Sequence, residues 1–219
     1  MWRTHSITDF WITCSVEKVK RLYELGYEDA KANAHTTGLA VVAVYEDKQL
    51  SVAARLLDKP DGQISSALKS GEISGKTGEL LQLRADASLP CKRILLVGCG
   101  KRGALDRQGF RTAMQAVSQW LSKKPFKDAT NYLTLEAVKG ANVERRAAIA
   151  AQVWLHRTYR FTQMKSKPGD TAPELKKMTL AAKDAAAARA LRKGAAYGEA
   201  LGNGGDNRDA AGNRGLERN

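Results

Sequence analysis

The stretch Lys92-Arg93-Ile94-Leu95-Leu96-Val97-Gly98-Cys99-Gly100-Lys101 constrains this chain more than any other. A basic pair leads into four apolar residues, and the run stops at Gly-x-Gly. A short apolar run closed by glycines reads as a buried strand. The turn that follows is one where backbone must approach something closely. Leu39 to Tyr45 is a second such run, rich in valine and bounded by Gly38 and Glu46-Asp47. It reads as a strand covered on both faces. Glu79 to Arg84 predicts a third strand. Tyr132 and Thr134 alternate with Leu133 and Leu135, which predicts a fourth over Asn131 to Val138.

Helical spacing fills the gaps. Val19, Leu22, Tyr23, Tyr27 and Ala30 place a helix over Glu17 to Ala34, weakened at Gly26. Ser51 to Leu57 and Ile64 to Leu68 are short helices, separated by Lys59-Pro60-Asp61-Gly62 and stopped at Gly71. Leu105 to Leu121 is amphipathic, with Phe110, Ala113, Met114, Val117 and Leu121 on one face and Asp106 at the start. Val143 to Phe161 is a second strong helix. Its stripe is Val143, Ala147, Ala150, Val153, Trp154 and Phe161, with Arg145, Arg146, Arg157 and Arg160 largely off it. Strands alternating with helices predict an α/β layered domain with a mixed sheet.

Composition changes along the rest of the chain. Lys165 to Pro173 is a linker by its lysines, prolines and glycine. Leu175 to Leu180 reads as one more strand or a helix start, and Lys183 to Leu201 is alanine-rich and helix-prone. From Gly202 the text is glycine- and charge-rich and predicts a disordered tail. The expected divisions are an N-terminal helical extension at 1–35, an α/β domain at 36–165, a linker and connecting helix at 166–201, and the tail at 202–219.

Chemistry-bearing patterns are few. Gly98, Gly100 and Gly103 have the count of a phosphate-cradling turn. The following helix starts too late, however, and no acidic partner ends a next strand, so a tight packed turn explains them better. Cys99 beside Lys101 and Arg102 would have a lowered thiol pKa if exposed. Cys14, Cys91 and Cys99 show no metal or disulfide spacing and read as free thiols of a reducing cytoplasm. His5, His35 and His156 are scattered, and no His, Asp or Glu pair has metal-ligand spacing. No catalytic or metal-binding residue is therefore assigned. No apolar run approaches the roughly 20 residues of a membrane span, and the start lacks the pattern of a signal peptide. The 36 basic residues exceed the 23 acidic ones, for a net charge of +13. That balance favours polyanions, although a solvated basic surface accounts for it as well.

Taken in order, the blocks at Val41–Ser51, Leu57–Lys59, Gly71–Leu83 and Lys92–Lys101 resemble the N-terminal domain of the leucyl aminopeptidase family. The resemblance spans Thr36 to Lys167, and more weakly the helix to Leu201. It implies a three-layer mixed sheet with helices on both faces, related to the macro-domain fold. The family's enzymes use two divalent metals, zinc or manganese, in a second, C-terminal domain. This chain is too short to hold that domain, so no cofactor is expected in it. Asp209-Ala210-Ala211-Gly212-Asn213-Arg214 has some likeness to the family's metal motif Asn-Thr-Asp-Ala-Glu-Gly-Arg. Ala211 stands where the metal-binding glutamate belongs, so the likeness is a coincidence.

The resemblance implies a cytoplasmic, stand-alone or truncated domain, inactive alone and serving contacts with aminopeptidase subunits or with the catalytic domain. An alternative partner is duplex DNA, which some bacterial members bind. Arg145, Arg146, Arg157, Arg160, Lys165, Lys167, Lys176 and Lys177 are the candidate phosphate contacts. A second alternative is a macro-type site for an ADP-ribose-like ligand, with Gly98 to Gly103 near the phosphates.

Overall fold

The computed structural model describes residues 36–59, 61–163, 175 and 177–213. The predicted helix at Glu17–Ala34, and the whole of 1–35, lie outside the described residues, as does all of the predicted linker Lys165–Pro173. In chain order the elements are β1 (Thr37–Val44), α1 (Val52–Asp58), α2 (Gln63–Ser70), β2 (Leu80–Arg84), β3 (Cys91–Gly98) and α3 (Arg107–Leu121). There follow β4 (Asp128–Asn131), a 3-10 turn at Leu133–Leu135, α4 (Val143–Gln163), β5 (Lys177–Leu180) and α5 (Ala185–Asn213). The sheet order is β2-β3-β1-β4-β5. β1, β3, β4 and β5 are parallel, and β2 runs antiparallel to β3.

The valine-rich run takes the centre of this sheet because both its faces are covered. Leu39, Val41 and Ala43 join one core with residues of α3, α4 and α5. Ala40, Val42 and Val44 join a second with residues of α1 and α2. Helices thus cover both faces, giving the expected three layers. Each buried valine or leucine contributes about 1.5–3 kcal/mol relative to exposure, so β1 and β3 anchor both cores.

Local chemistry sets the helix ends. The Ser51 hydroxyl accepts from the Ala54 amide at 3.1 Å and starts α1. Asp58 ends α1 and starts α2, its carboxylate accepting from the Ile64 and Ser65 amides at 2.8 and 3.0 Å. Gly71 stops α2 in the left-handed region at φ 83°, where glycine alone is unstrained. Asp106 caps α3 by accepting from the Gly109 amide at 2.7 Å.

Two expectations are corrected. The fourth strand lies earlier than the alternation predicted. β4 ends at Asn131, whose side-chain oxygen accepts from the Leu133 amide at 2.9 Å and turns the chain. The Thr134 hydroxyl then donates to the Ala181 carbonyl at 2.7 Å and fixes the 3-10 turn. Second, the stretch read as linker and connecting helix is part of the layered unit from residue 177 on. β5 pairs with β4 from Asp128↔Lys177 to Asn131↔Leu180, and α5 packs on α4. A Cβ on Gly194 would sit 1.9 Å from the Glu144 carbonyl oxygen, and one on Gly198 would sit 2.4 Å from that of Ala148. The two helices therefore touch backbone to backbone. The backbone of α5 stays helical from Ala185 to Asn213. Extending a helix that is already packed adds a hydrogen bond for each residue fixed, without a new nucleus. Residues 214–219 lie outside the described residues.

Candidate functional site

Open α/β sheets present their chemistry at the carboxyl ends of the parallel strands, where successive connections leave toward opposite faces. Here that place is the end of β1, flanked by the ends of β3 and β4. α1 follows β1 on one face, while α3 and α4 follow β3 and β4 on the other.

The glycine turn after β3 sits there, and its amides are spent. Gly98 N–H donates to the Glu79 carbonyl at 2.8 Å, Cys99 N–H to Val44 at 2.9 Å, and Gly100 N–H to Gly75 at 2.9 Å. In return the Gly98 carbonyl accepts from Gly78 N–H at 3.0 Å, and the Gly100 carbonyl from Glu46 N–H at 3.1 Å. A phosphate cradle needs amides aimed at the ligand, and those of 98–100 are aimed at backbone. The helix beyond is occupied as well, since Asp106 fills the N-terminus of α3. Gly98 and Gly100 thus offer no free amide to a ligand. Gly98 permits contact with the 75–78 turn. Gly100 and Gly103 take positive φ, 75° and 74°.

Cys99 is also corrected. It is buried, and its thiol is pushed up to about 12, first by desolvation and then by the charge of Glu136. It stays protonated at physiological pH and is a poor nucleophile.

The polar residues at this end converge on Glu136, just past the 3-10 turn. The Tyr45 hydroxyl, at the end of β1, donates to its carboxylate at 2.5 Å. The Arg146 guanidinium, from α4, donates to its backbone carbonyl. Burial raises the Glu136 carboxyl above its usual range, opposed by the Tyr45 hydrogen bond and by the charges of Arg102, Arg146 and Arg55. Burial, reinforced by Glu136, pushes the Tyr45 phenol up as well. The arrangement pins β1, the segment after β4 and α4 together. It offers one carboxylate, and the Tyr45 phenol and Cys99 thiol beside it are both held protonated by burial and by its charge.

A raised carboxyl pKa has a definite sign in stability. The folded chain holds the Glu136 proton more tightly than the unfolded chain. Stability is therefore lost as pH rises from the unfolded value through the folded one, and the penalty is absent below that window. Glu136→Gln keeps the shape and the acceptor for Tyr45. It is expected to be more stable than the parent at neutral pH, with the gap closing in acid, as read by urea denaturation at both pH values. An equal gap at both would contradict this origin.

Among the described residues, the basic candidates are Arg145, Arg146 and Lys177, and they do not share one surface. Arg145 is exposed, its amide held by Asn142 at 2.9 Å. Arg146, expected off the apolar stripe, points inward to Glu136, with its Nε buried and unpartnered. Lys177 pairs with Asp128 at the start of β4, at the opposite end of the strands from Arg145. The side chains of Arg157 and Arg160, and all of Lys165, Lys167 and Lys176, lie outside what is described. Sequence reasoning missed Tyr45 and Glu136, which stand 91 residues apart and carry no local signal. Among the described residues no three His, Cys, Asp or Glu side chains converge as metal ligands. The two metals that the resemblance implies therefore have no fitting set there. No helix among them is long and apolar enough to cross a membrane.

Residues 41–168 match the family described as "Cytosol aminopeptidase family, N-terminal domain". The probable cytosol aminopeptidase of Azotobacter vinelandii is 38% identical over 145 residues, covering 66% of this chain and 29% of that protein. That of Thioalkalivibrio sulfidiphilus is 34% identical over 158 residues, covering 72% and 32%. A tomato leucine aminopeptidase variant superposes with a TM-score of 0.59 at 17% identity, over 80% of this chain and 35% of its own. A macrodomain variant from Oceanobacillus iheyensis gives 0.57 at 14%, over 78% and 90%. The chain spans about a third of the length of the curated relatives it matches. The fold is thus shared with macrodomains, and the sequence match runs from within β1 through α4: this chain belongs to the cytosol aminopeptidase family and carries its N-terminal domain.

Proposed function

We propose that this chain is a non-catalytic module of a cytosol aminopeptidase, serving contacts with other subunits or with the catalytic part. The observation that carries this reading is the extent of the match. It takes in the N-terminal domain, about a third of the length of relatives named for peptidase activity, while at the carboxyl end of this sheet the amides of 98–100 and the carboxylate of Glu136 are tied up internally. The two divalent metals, zinc or manganese, belong on this reading to the part of the family not spanned here. The compartment is the cytoplasm. Co-expression with the full-length Azotobacter vinelandii relative tests the contact role. Co-purification in a fixed ratio is expected, and its absence would contradict subunit contact.

Two alternatives have less behind them. DNA binding draws on the net charge of +13, yet Arg145 and Lys177 are set at opposite ends of the strands and Arg146 is turned inward. An ADP-ribose-like ligand draws on likeness to macrodomains, one of which holds ADPR. The spent amides of 98–100 speak against it.

A further inference from the structure

β2 is the edge strand of the sheet, and among the described residues it has β3 as its one strand neighbour. Its hydrogen-bonding parity is fixed at both ends. The Glu79 carbonyl accepts from Gly98 and the Ala85 amide donates to Lys92, so 79 and 85 face β3. Antiparallel residues alternate in this respect. Leu81 and Leu83 therefore face β3 as well, and the N–H and C=O groups of Leu80, Gln82 and Arg84 point out along the free edge. Leu80 to Leu83 are each only half-buried. Natural edges are guarded by charged side chains, proline or bulges; β2 has one such guard, Arg84 at its end, and Leu80-Leu81-Gln82-Leu83 before it has none.

The geometry points to a second copy of this chain as the partner of that edge, paired antiparallel about a two-fold axis through Gln82. The register follows from parity. Only pairings that set outward residues opposite outward residues can form hydrogen bonds, and centring on Gln82 places Leu80 opposite Arg84 of the other copy. It also places Leu81 opposite Leu83 of the other copy, twice by symmetry, on the face where both already pack with the α1–α2 core. A two-fold axis normal to the sheet keeps each face on its own side, so the two sheets become one and the leucine rows join. Like charges are kept apart, because each Arg84 meets a leucine. A register shifted by one residue, with Glu79 opposite Arg84, would improve the charges but set outward groups against inward ones. The backbone rules it out.

This pairing deepens the subunit-contact reading and rests on it for its use. The two are tested separately, because self-association is measured on the chain alone. Sedimentation across a range of protein concentrations should show a species of twice the 23.9 kDa chain mass. Gln82→Lys and Gln82→Glu each place two like charges face to face at the axis and should weaken association about tenfold or more. An equimolar mixture of the two variants should restore the dimer, since Lys then meets Glu. That recovery also shows that both variants are folded. A parent chain that stays monomeric, a Gln82→Lys chain that dimerises like the parent, or a mixture that stays monomeric would each overturn the pairing.

Discussion

Gly98→Ala is expected to lower the unfolding free energy by about 3 kcal/mol or more, a large share of the roughly 5–15 kcal/mol that holds a domain together. The added Cβ would lie 2.0 Å from the Lys76 carbonyl oxygen and 2.7 Å from the Gly75 carbonyl carbon. Both are backbone, so no side chain can swing away. The 75–78 turn cannot retreat cheaply either, because Gly78, Glu79, Gly75 and Glu46 are all hydrogen-bonded to the 98–100 segment. Gly103→Ala is the control. Its φ is +74° with nothing within 4 Å, so it carries left-handed strain alone, about 1–2 kcal/mol. Urea denaturation of both variants separates steric clasp from turn strain. Equal losses at the two positions would contradict the clasp.

Gly194→Ala sets two effects against each other. Intrinsic helix preference favours alanine over glycine by about 1 kcal/mol. Packing opposes it, because the Cβ would meet the Glu144 carbonyl oxygen at 1.9 Å and its carbonyl carbon at 2.6 Å. The two helices would have to separate, which strips contacts from Ala187, Ala188 and Leu191, all buried in the same core. Overpacking of this kind costs about 1–3 kcal/mol, and more where backbone must move. The clash is therefore expected to win, with a net loss of about 2 kcal/mol by thermal or urea denaturation. A gain of about 1 kcal/mol would show α5 to be a helix that merely lies near α4.

These two glycines differ in how visible they were. Gly98 closes an apolar run, and that pattern announces close backbone approach. The approaching group, the Lys76 carbonyl, sits in another recognisable block, Gly71 to Leu83, but the contact between the blocks belongs to the fold. Gly194 and Gly198 sit in an alanine-rich stretch whose helix preference is obvious. Their four-residue spacing was the signal for a close helix pair, and it was masked by that preference.

The inward turn of Arg146 is hidden from the sequence for a similar reason. It stands three residues after Val143 and four before Ala150, on the side of the stripe, where an arginine's charge ordinarily turns it to solvent. Nothing local reveals that Glu136 waits for it. The strand expected over Asn131 to Val138 failed because alternation across 132–135 imitates a pleat, whereas Asn131 folds back on Leu133. The central strands were legible because a residue buried on both faces leaves no choice but a continuous apolar run.

The decisive measurement is turnover of a leucine-anilide substrate by the purified full chain with saturating manganese or zinc. No hydrolysis above the metal-only background is expected, while a full-length relative assayed alongside is active. Turnover by this chain that a chelator abolishes and added metal restores would contradict the non-catalytic reading.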